Sequence, residues 1–585
     1  MEQNTSEVAG SSPPFLFNRL LAVWSVSRQF SVKSAREHVL ASIRARMAAS
    51  RNRLWMSTGN FGHCHKRGAR SMIKMMDATQ LPDEWQNAFR RDQAEKPPGP
   101  DPLPERRLAR LLAAFVVSGM FFMVFPGTVL GVWNLVGISS QREMASVSGA
   151  WIQAHGHAQL FGWVGGFIIG ISLYVLPKFR GSVCRSIPVG WAMWAMWNTG
   201  VGVRWFAGIQ AGVHPGTFRV SAALELTVSL LLIWQCTPSG AKYRKGQSWE
   251  APIFAGFAAL VFLLAWQQFL AVRPLVSPAL PPTPDRILIS LAIWTFAFPI
   301  VLGYSAKFFP GLIGTAPAHR TGLRIALALL IPAAAGFVVE STSLAAAATS
   351  CAVALAAWSL RLFHSKTGNP KTAGVDARYP QFVHVAYLWL AASAALGFGV
   401  SRPGVLGASR HAFTVGFLAT LIFSIGPRIL PSFLNSRELW SPRLMRWSLL
   451  LITLCCTLRV VSEPLAYGGI VSSAWRVLPF SAFGELAAIL LFGCNIALSV
   501  ATPIPAWFGR EQVNDRMSVY WLISAYPATR GLLVDSGLVT LARMGAVPRS
   551  LSLREAAQAD GAQPEILVEK LRAFFESRLA RSLRK

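Results

Sequence analysis

Acidic residues are scarce in this chain: 27 Asp and Glu stand against 56 Lys and Arg in 585 residues, a formal net charge of +29. Charge of either sign is thin. Only 14% of residues are charged, against roughly 25% in soluble domains. Paired cysteines are missing as well. Cys64, Cys184, Cys236, Cys351, Cys455, Cys456 and Cys494 show no C-x-x-C spacing, so a disulfide framework, an iron–sulfur site and a zinc finger all lack support. What remains is apolar: 52% hydrophobic residues and a mean hydropathy of +0.40.

The apolar residues fall in stretches long enough to cross a hydrocarbon core of about 30 Å, which needs about 20 helical residues. Lipid supplies no water to backbone groups, so such stretches must be helices or closed barrels. These are too long and too uniform for barrel strands. The expectation is an all-α polytopic membrane bundle with about twelve spans: 108–136, 153–176, 187–211, 218–236, 251–272, 287–309, 321–341, 343–363, 380–402, 411–432, 444–466 and 480–503. An even count puts both ends on one side. Loops on that side carry Lys178, Arg180, Lys242, Lys245, Lys307, Arg320, Lys371, Arg428 and Arg443 among others. Loops on the far side carry fewer, chiefly Arg142, Arg219, Arg273, Arg286, Arg402, Arg410 and Arg476. The positive-inside bias therefore predicts cytoplasmic termini. The positive charge reads as a topology signal in the bilayer, not as a nucleic-acid surface.

Three segments share a proline pattern around Pro177, Pro310 and Pro431, each near the end of the second helix in a set of four. This predicts three repeats of four helices. The alternative is convergence of helix ends, where proline and basic residues are both favoured.

Residues 1–107 form a basic leader, expected to be a largely disordered cytoplasmic segment. Its Arg- and Ser-rich, acid-poor start also fits a transit peptide, or an over-long start with Met72, Met75 or Met76 nearer the natural beginning. Pro97 to Pro104 reads as a linker, and His63-Cys64-His65 as an adventitious metal cluster. Residues 513–580 return to soluble composition. Ser552 and Glu555 fit a capping box, Pro564 opens a further helix, and Leu567, Leu571, Phe574 and Arg578 recur at helical spacing. The expectation is a small helical cytoplasmic domain with a partner of its own.

Of the ten histidines, His155, His157, His384 and His411 lie in spans. Ionisable residues there are costly and mark functional sites by default, although a lone histidine often serves as a helix–helix hydrogen bond. The second and tenth spans run in parallel, so His155, His157 and His411 share one depth. His155 and His157 point about 200° apart on a regular helix, so the two cannot approach one iron together. His155 shares a face with Gly162, Gly166 and Gly170, which admits a porphyrin plane or another helix. Imidazole ligates haem iron and copper. The pairing expected is His155 with His411 across one haem, with His157 left for copper or a hydrogen bond. His384 lies nearer the other side and suggests a second metal site. Arg204 and Arg459, on the third and eleventh spans, are candidate partners of haem propionates, or interfacial residues. Glu340 and Glu463 are candidate ion-pair partners of these arginines.

The segment His155, His157, Phe161, Gly162, Gly170 and Pro177 resembles the second-helix signature of the NnrS family. His411, Ala412, Val415 and Gly416 resemble that family's late motif, and His384, Tyr387 and Trp389 approximate a third. The resemblance spans most of residues 108–503. It implies a membrane protein that binds haem b and copper and is linked to nitric oxide stress in the bacterial inner membrane. Gln159 departs from the family, which usually has Glu there. The same segments are similar to subunit I of haem–copper oxidases and nitric oxide reductases, whose low-spin haem is held by the second and tenth helices. The sixth and seventh spans contain no histidine, so the usual cage for an active-site copper is absent. The tail from Val513 to Phe575 is similar to a domain of unknown function associated with hybrid-cluster redox proteins, at Asp515, Met517, Tyr526-Pro527, Gly537, Leu551 and Gly561. It carries no cysteine, which leaves docking or sensing.

Three functions follow as alternatives. The first is a haem (and copper) protein handling nitric oxide. The second is a haem oxidoreductase fed by a quinol or cytochrome. The third is a cofactor-free transporter.

Overall fold

The computed structural model describes residues 81–94, 102–180, 184–210, 216–237, 247–273, 279–364, 367–372, 374–433, 439–501, 513–525, 528–544, 547–548 and 550–582. The transit-like segment, Met72 to Met76 and the His63-Cys64-His65 cluster lie outside these residues. All the long elements are helices, and among the described residues the only β pairing is an isolated bridge between Ser518 and Ser552.

Among the described residues, eleven helices are long and apolar enough to cross a membrane: Arg107–Gln141, Gly149–Arg180, Gly216–Cys236, Glu250–Val272, Pro282–Leu312, Arg320–Val338, Thr342–Ser359, Tyr379–Gly399, Val405–Pro431, Pro442–Tyr467 and Ala474–Val500. The expected third span is a helix too, Ile187–Ile209 of 23 residues, but it is not among the eleven. Asn198, Arg204 and four tryptophans lower its mean hydropathy. Its packing nevertheless runs the full depth of the bundle. A Cβ on Gly190 would touch Leu111 at the start of the first span, and one on Gly208 would touch Ala154 at the start of the second. Ordinal numbers below count this helix as the third of twelve.

The helices group in fours. In each set the first helix packs on the second and the third on the fourth, and the fourth then packs on the first of the next set. The ring closes where the twelfth span meets the first. Trp475 and Leu478 share a core cluster with Val132 and Leu135, while Gly493 lies against Met120. The twelfth span is therefore antiparallel to the first and ends beside its start. The three second helices form the interior. Their most apolar stretches are 94%, 67% and 67% buried, against 33–44% for the other eight. Burial of this kind explains why the second helices tolerate glycine and internal proline: neighbouring helices, not lipid, surround the loosened backbone. Pro177, Pro310 and Pro431 all lie inside these helices, near their ends.

The flanking segments meet. The leader is not without structure, since Asp83–Ala94 is a helix, and Pro102 sits at the start of the helix that becomes the first span. Trp85 and Ala88 are wholly buried. Arg91 pairs with Glu555 at 2.9 Å, and Ser550 donates to the Ala88 carbonyl at 3.2 Å. The C-terminal partner is a cluster of short helices, Val519–Ala525, Thr529–Asp535, Val539–Arg543 and Leu553–Asp560, closed by Pro564–Ser582. Ser552 and Glu555 form the capping box. The buried stripe of the last helix runs through Leu567, Leu571 and Phe575. Phe574 is only half-buried, one residue off the expected stripe.

Candidate functional site

The second span changes winding in the middle. An α-helix, Gly149–His157, is capped by the Ser148 hydroxyl and passes into a π-helical stretch, Ala158–Gly165, before α geometry resumes at Gly166. The sixth and tenth spans do the same at Ala292–Ala297 and Ala412–Ala419. The first span carries a π stretch at Met123–Val129. π turns inside α-helices concentrate at functional sites because the wide turn re-aims the side chains beside it. His157 and His411 are each the last residue before the π stretch. Each also stands 20 residues ahead of its repeat proline, 157 to 177 and 411 to 431. Ser290 holds that position in the middle set. Repeat register therefore makes His157, not His155, the counterpart of His411.

Two polar clusters result. In the first, His157 Nε2 lies 2.8 Å from Glu225 Oε1, and neither residue reaches solvent. Gln267 donates to the other Glu225 oxygen at 3.2 Å, and the Ser221 hydroxyl to Oε1 at 3.3 Å. The His157 ring stacks on Phe161 at 4.6 Å. Of the two roles expected for His157, the structure shows a hydrogen bond at Nε2. In the second cluster, His411 Nδ1 donates to the Gly407 carbonyl at 2.8 Å and sits 3.3 Å from Glu463 Oε2. Arg459 Nε reaches the same oxygen at 3.2 Å. Glu485, from the twelfth span, faces His411, Arg459 and Glu463, and its Oε1 is buried without a partner.

His155 belongs to this second cluster, within electrostatic reach of both His411 and Arg459. Its Nδ1 donates to the Gly127 carbonyl at 2.8 Å. A Cβ on Gly131 would stand 2.5 Å from the His155 ring, so only glycine leaves room for the imidazole there. The glycines below His155 serve a helix and not a porphyrin. Gly162 and Gly170 accept Phe122 and Phe115 of the first span, and Gly166 lies against Gly119. Gln159 donates to the Thr128 hydroxyl at 2.8 Å, which ties it to the π stretch of the first span.

The remaining candidates separate. His384 faces two backbone carbonyls, with Nδ1 at 2.6 Å from Pro380 O and Nε2 at 2.9 Å from Leu362 O. Both ring nitrogens are thus engaged, and the structure does not bring this residue to the other histidines. Arg204 is buried with its guanidinium 3.6 Å from the Phe218 ring centroid. One terminal nitrogen reaches Gln153 at 3.4 Å and the other has no partner. Glu463 pairs with Arg459 as expected, but Glu340 pairs with Arg286, since the seventh span ends beside the start of the sixth and not beside Arg204. Glu225 and Glu485 escaped the sequence reading. Their signal was a lone carboxylate in each of two apolar spans.

A bundle of three four-helix sets is a fold that this chain shares with a haem–copper oxidase. A solved structure titled "Cryo-EM structure of a heme-copper terminal oxidase dimer provides insights into its catalytic mechanism" matches with a TM-score of 0.52 and 11% identity, over 82% of this chain and 99% of that one. At that identity the likeness is one of fold. The family model described as NnrS protein matches residues 110–503, and the chain belongs to the NnrS family. No curated relative matches the sequence.

His155 and His411 both tie Nδ1 to a backbone carbonyl, and among the described residues neither Nε2 has a hydrogen-bond partner. That is the arrangement that fixes the tautomer of a metal-binding imidazole. These two imidazoles fit a haem; Arg204, by contrast, lies within electrostatic reach of Glu225 and Asp285, on the side of the first cluster. The residues do not fit a protein-held copper site. Among the described residues, no group of three or more His, Cys, Asp or Glu stands close enough to hold a metal ion, and His157 Nε2 is engaged by Glu225.

Proposed function

We propose that this is a haem-binding membrane protein that handles nitric oxide, with haem b held between His155 and His411. The observation that carries the reading is the pair of free Nε2 atoms, on parallel inner helices, each with Nδ1 anchored to a carbonyl. Arg459 would face a propionate, and Glu463 would orient His411 and Arg459 together. The haem, when bound, would supply an iron that gains or loses an electron; a diatomic ligand would need one of the two imidazoles to leave it. The chain's own part is to fix two imidazoles, exclude water with the apolar interior, and offset propionate charge. Membership of the NnrS family supports the haem and nitric oxide assignment, and the oxidase-like fold supports the placement. The positive-inside bias supports cytoplasmic ends, in keeping with a bacterial inner membrane. The C-terminal domain, beyond the family match, is read as a docking site for a cytoplasmic partner.

The test is an oxidised and dithionite-reduced visible spectrum of the purified protein, with iron and copper analysis, beside His155→Ala, His411→Ala and His157→Ala. The reading expects Soret and α bands in wild type and His157→Ala, lost in the other two. A colourless, folded protein from haem-replete cells would leave a cofactor-free transporter as the better account.

A further inference from the structure

A cavity of about 200 Å³ lies between the sixth to tenth spans; no histidine lines it, although Arg410 in its wall precedes His411 in the chain. Its deep wall is aromatic: Trp294, Phe337 and Phe413 line it, with Trp294 and Phe413 in edge-to-face contact at 5.2 Å. Small residues such as Ala346 keep the space open. No His, Cys or Met lines it, so it offers no soft or imidazole ligand to a metal. The volume falls below the range of about 300 Å³ upward that holds drug-sized ligands. A porphyrin is too large, whereas a single substituted ring is not.

The polar atoms of the wall define what that ring must carry. The hydroxyls of Thr349, Ser393 and Ser409 all donate to backbone carbonyls. Arg410 differs. One terminal nitrogen reaches the Arg286 carbonyl at 3.3 Å, but its Nε is buried without a partner. A buried unpaired donor of this kind costs free energy unless an acceptor fills the space before it. The ion pair of Arg286 and Glu340 is part of the lining, and two chain neighbours of lining residues, Val339 beside Glu340 and Phe398 beside Gly397, are exposed and apolar. Exposed apolar residues beside the cavity suit a ligand that arrives from the membrane.

The geometry points to a binding site for a membrane-borne quinone: one flat ring against Trp294, Phe337 and Phe413, one ring carbonyl on Arg410 Nε, and an apolar tail leaving past Val339 and Phe398. A fatty acid shares the oxygen-bearing head and apolar body, but it brings no ring to the aromatic wall.

The experiment is calorimetric titration of the purified full-length protein in detergent with a short-tailed benzoquinone, and separately with a saturated fatty acid. Saturable quinone binding is expected, weakened about tenfold by Arg410→Gln and abolished by Ala346→Leu, which fills the cavity without touching the polar head. His155→Ala should leave it unchanged, so failure here and failure of the haem assignment are told apart. Absence of saturable quinone binding overturns the proposal. So does equal or tighter binding of the fatty acid, which would make the cavity a lipid site. Undiminished quinone affinity in Ala346→Leu places the ligand elsewhere and also overturns it, even if Arg410→Gln fails to fold.

Discussion

Glu225 Oε1 and His157 Nε2 meet at 2.8 Å in a part of the bundle that no solvent reaches. Removing one partner of such a pair strands the other in an apolar medium, at a cost of about 3–5 kcal/mol. Glu225→Ala should therefore lower thermal stability in detergent markedly. Glu225→Gln, which keeps the shape and a hydrogen bond to His157, should cost much less. A double-mutant cycle with His157→Gln should show coupling well above zero; additive effects would mean the contact carries no energy.

Gly131 is where the first span makes room for His155. A methyl there would stand 2.5 Å from the imidazole, and over-packing of this kind costs about 1–3 kcal/mol. Gly131→Ala should push the ring off the Gly127 carbonyl. The expected outcome is a helical protein by circular dichroism whose haem content falls toward that of His155→Ala. Full haem occupancy would show that His155 is not the ligand.

Gly407 plays the same part for Glu463. A Cβ at that residue would overlap Glu463 Oε1, at 1.8 Å. Gly407→Ala should displace the carboxylate from both His411 and Arg459. The measurable consequence is a shifted haem reduction potential or α band, with no such shift in Gly202→Ala, where nothing lies within 4 Å of the added methyl.

The clamp between the leader helix and the C-terminal domain should open in acid. Burial raises the Glu555 carboxyl pKa, but hydrogen bonds from Ser552 and the Arg91 guanidinium outweigh it and hold it below the usual carboxylate range. A carboxyl depressed in the folded state contributes stability above its unfolded pKa of about 4.3. That stability is lost as pH falls through the lower, folded value. Protection factors for amide exchange across residues 83–94, taken against the intrinsic rate at each pH, should be high at neutral pH and fall below about pH 4. Trp85→Ala should release the helix at any pH, since a buried aromatic truncated to alanine costs about 3–5 kcal/mol.

The spans, the threefold repeat and the histidines at its turns were legible in the sequence, because lipid imposes a length and an apolarity that local composition must meet. The third span is the exception that shows the rule: Asn198, Arg204 and its tryptophans weaken the apolar signal, yet packing against Leu111 and Ala154 carries it across the bundle. Helical phase did part the two histidines, His155 toward the Gly127 carbonyl and His157 toward Glu225; the π stretch beyond them was the weak point. A regular helix puts His155 and His157 about 200° apart but gives no warning that a π stretch begins at Ala158. The capping box at Ser552 was readable for the opposite reason, since it is completed within four residues of chain.

By itself, then, the sequence determined that this chain is a membrane bundle, where its crossings fall and which histidines lie at one depth. Each of those follows from one segment's own solvation in lipid. Only the tertiary structure decided that Glu225 takes His157, that His384 is bound to carbonyls on both sides, that the glycine face of the second span receives phenylalanines, and that Glu340 turns to Arg286. Those partners come from helices tens to hundreds of residues away. A buried polar group must find whichever donor or acceptor the packing brings, and the packing is a property of the whole ring.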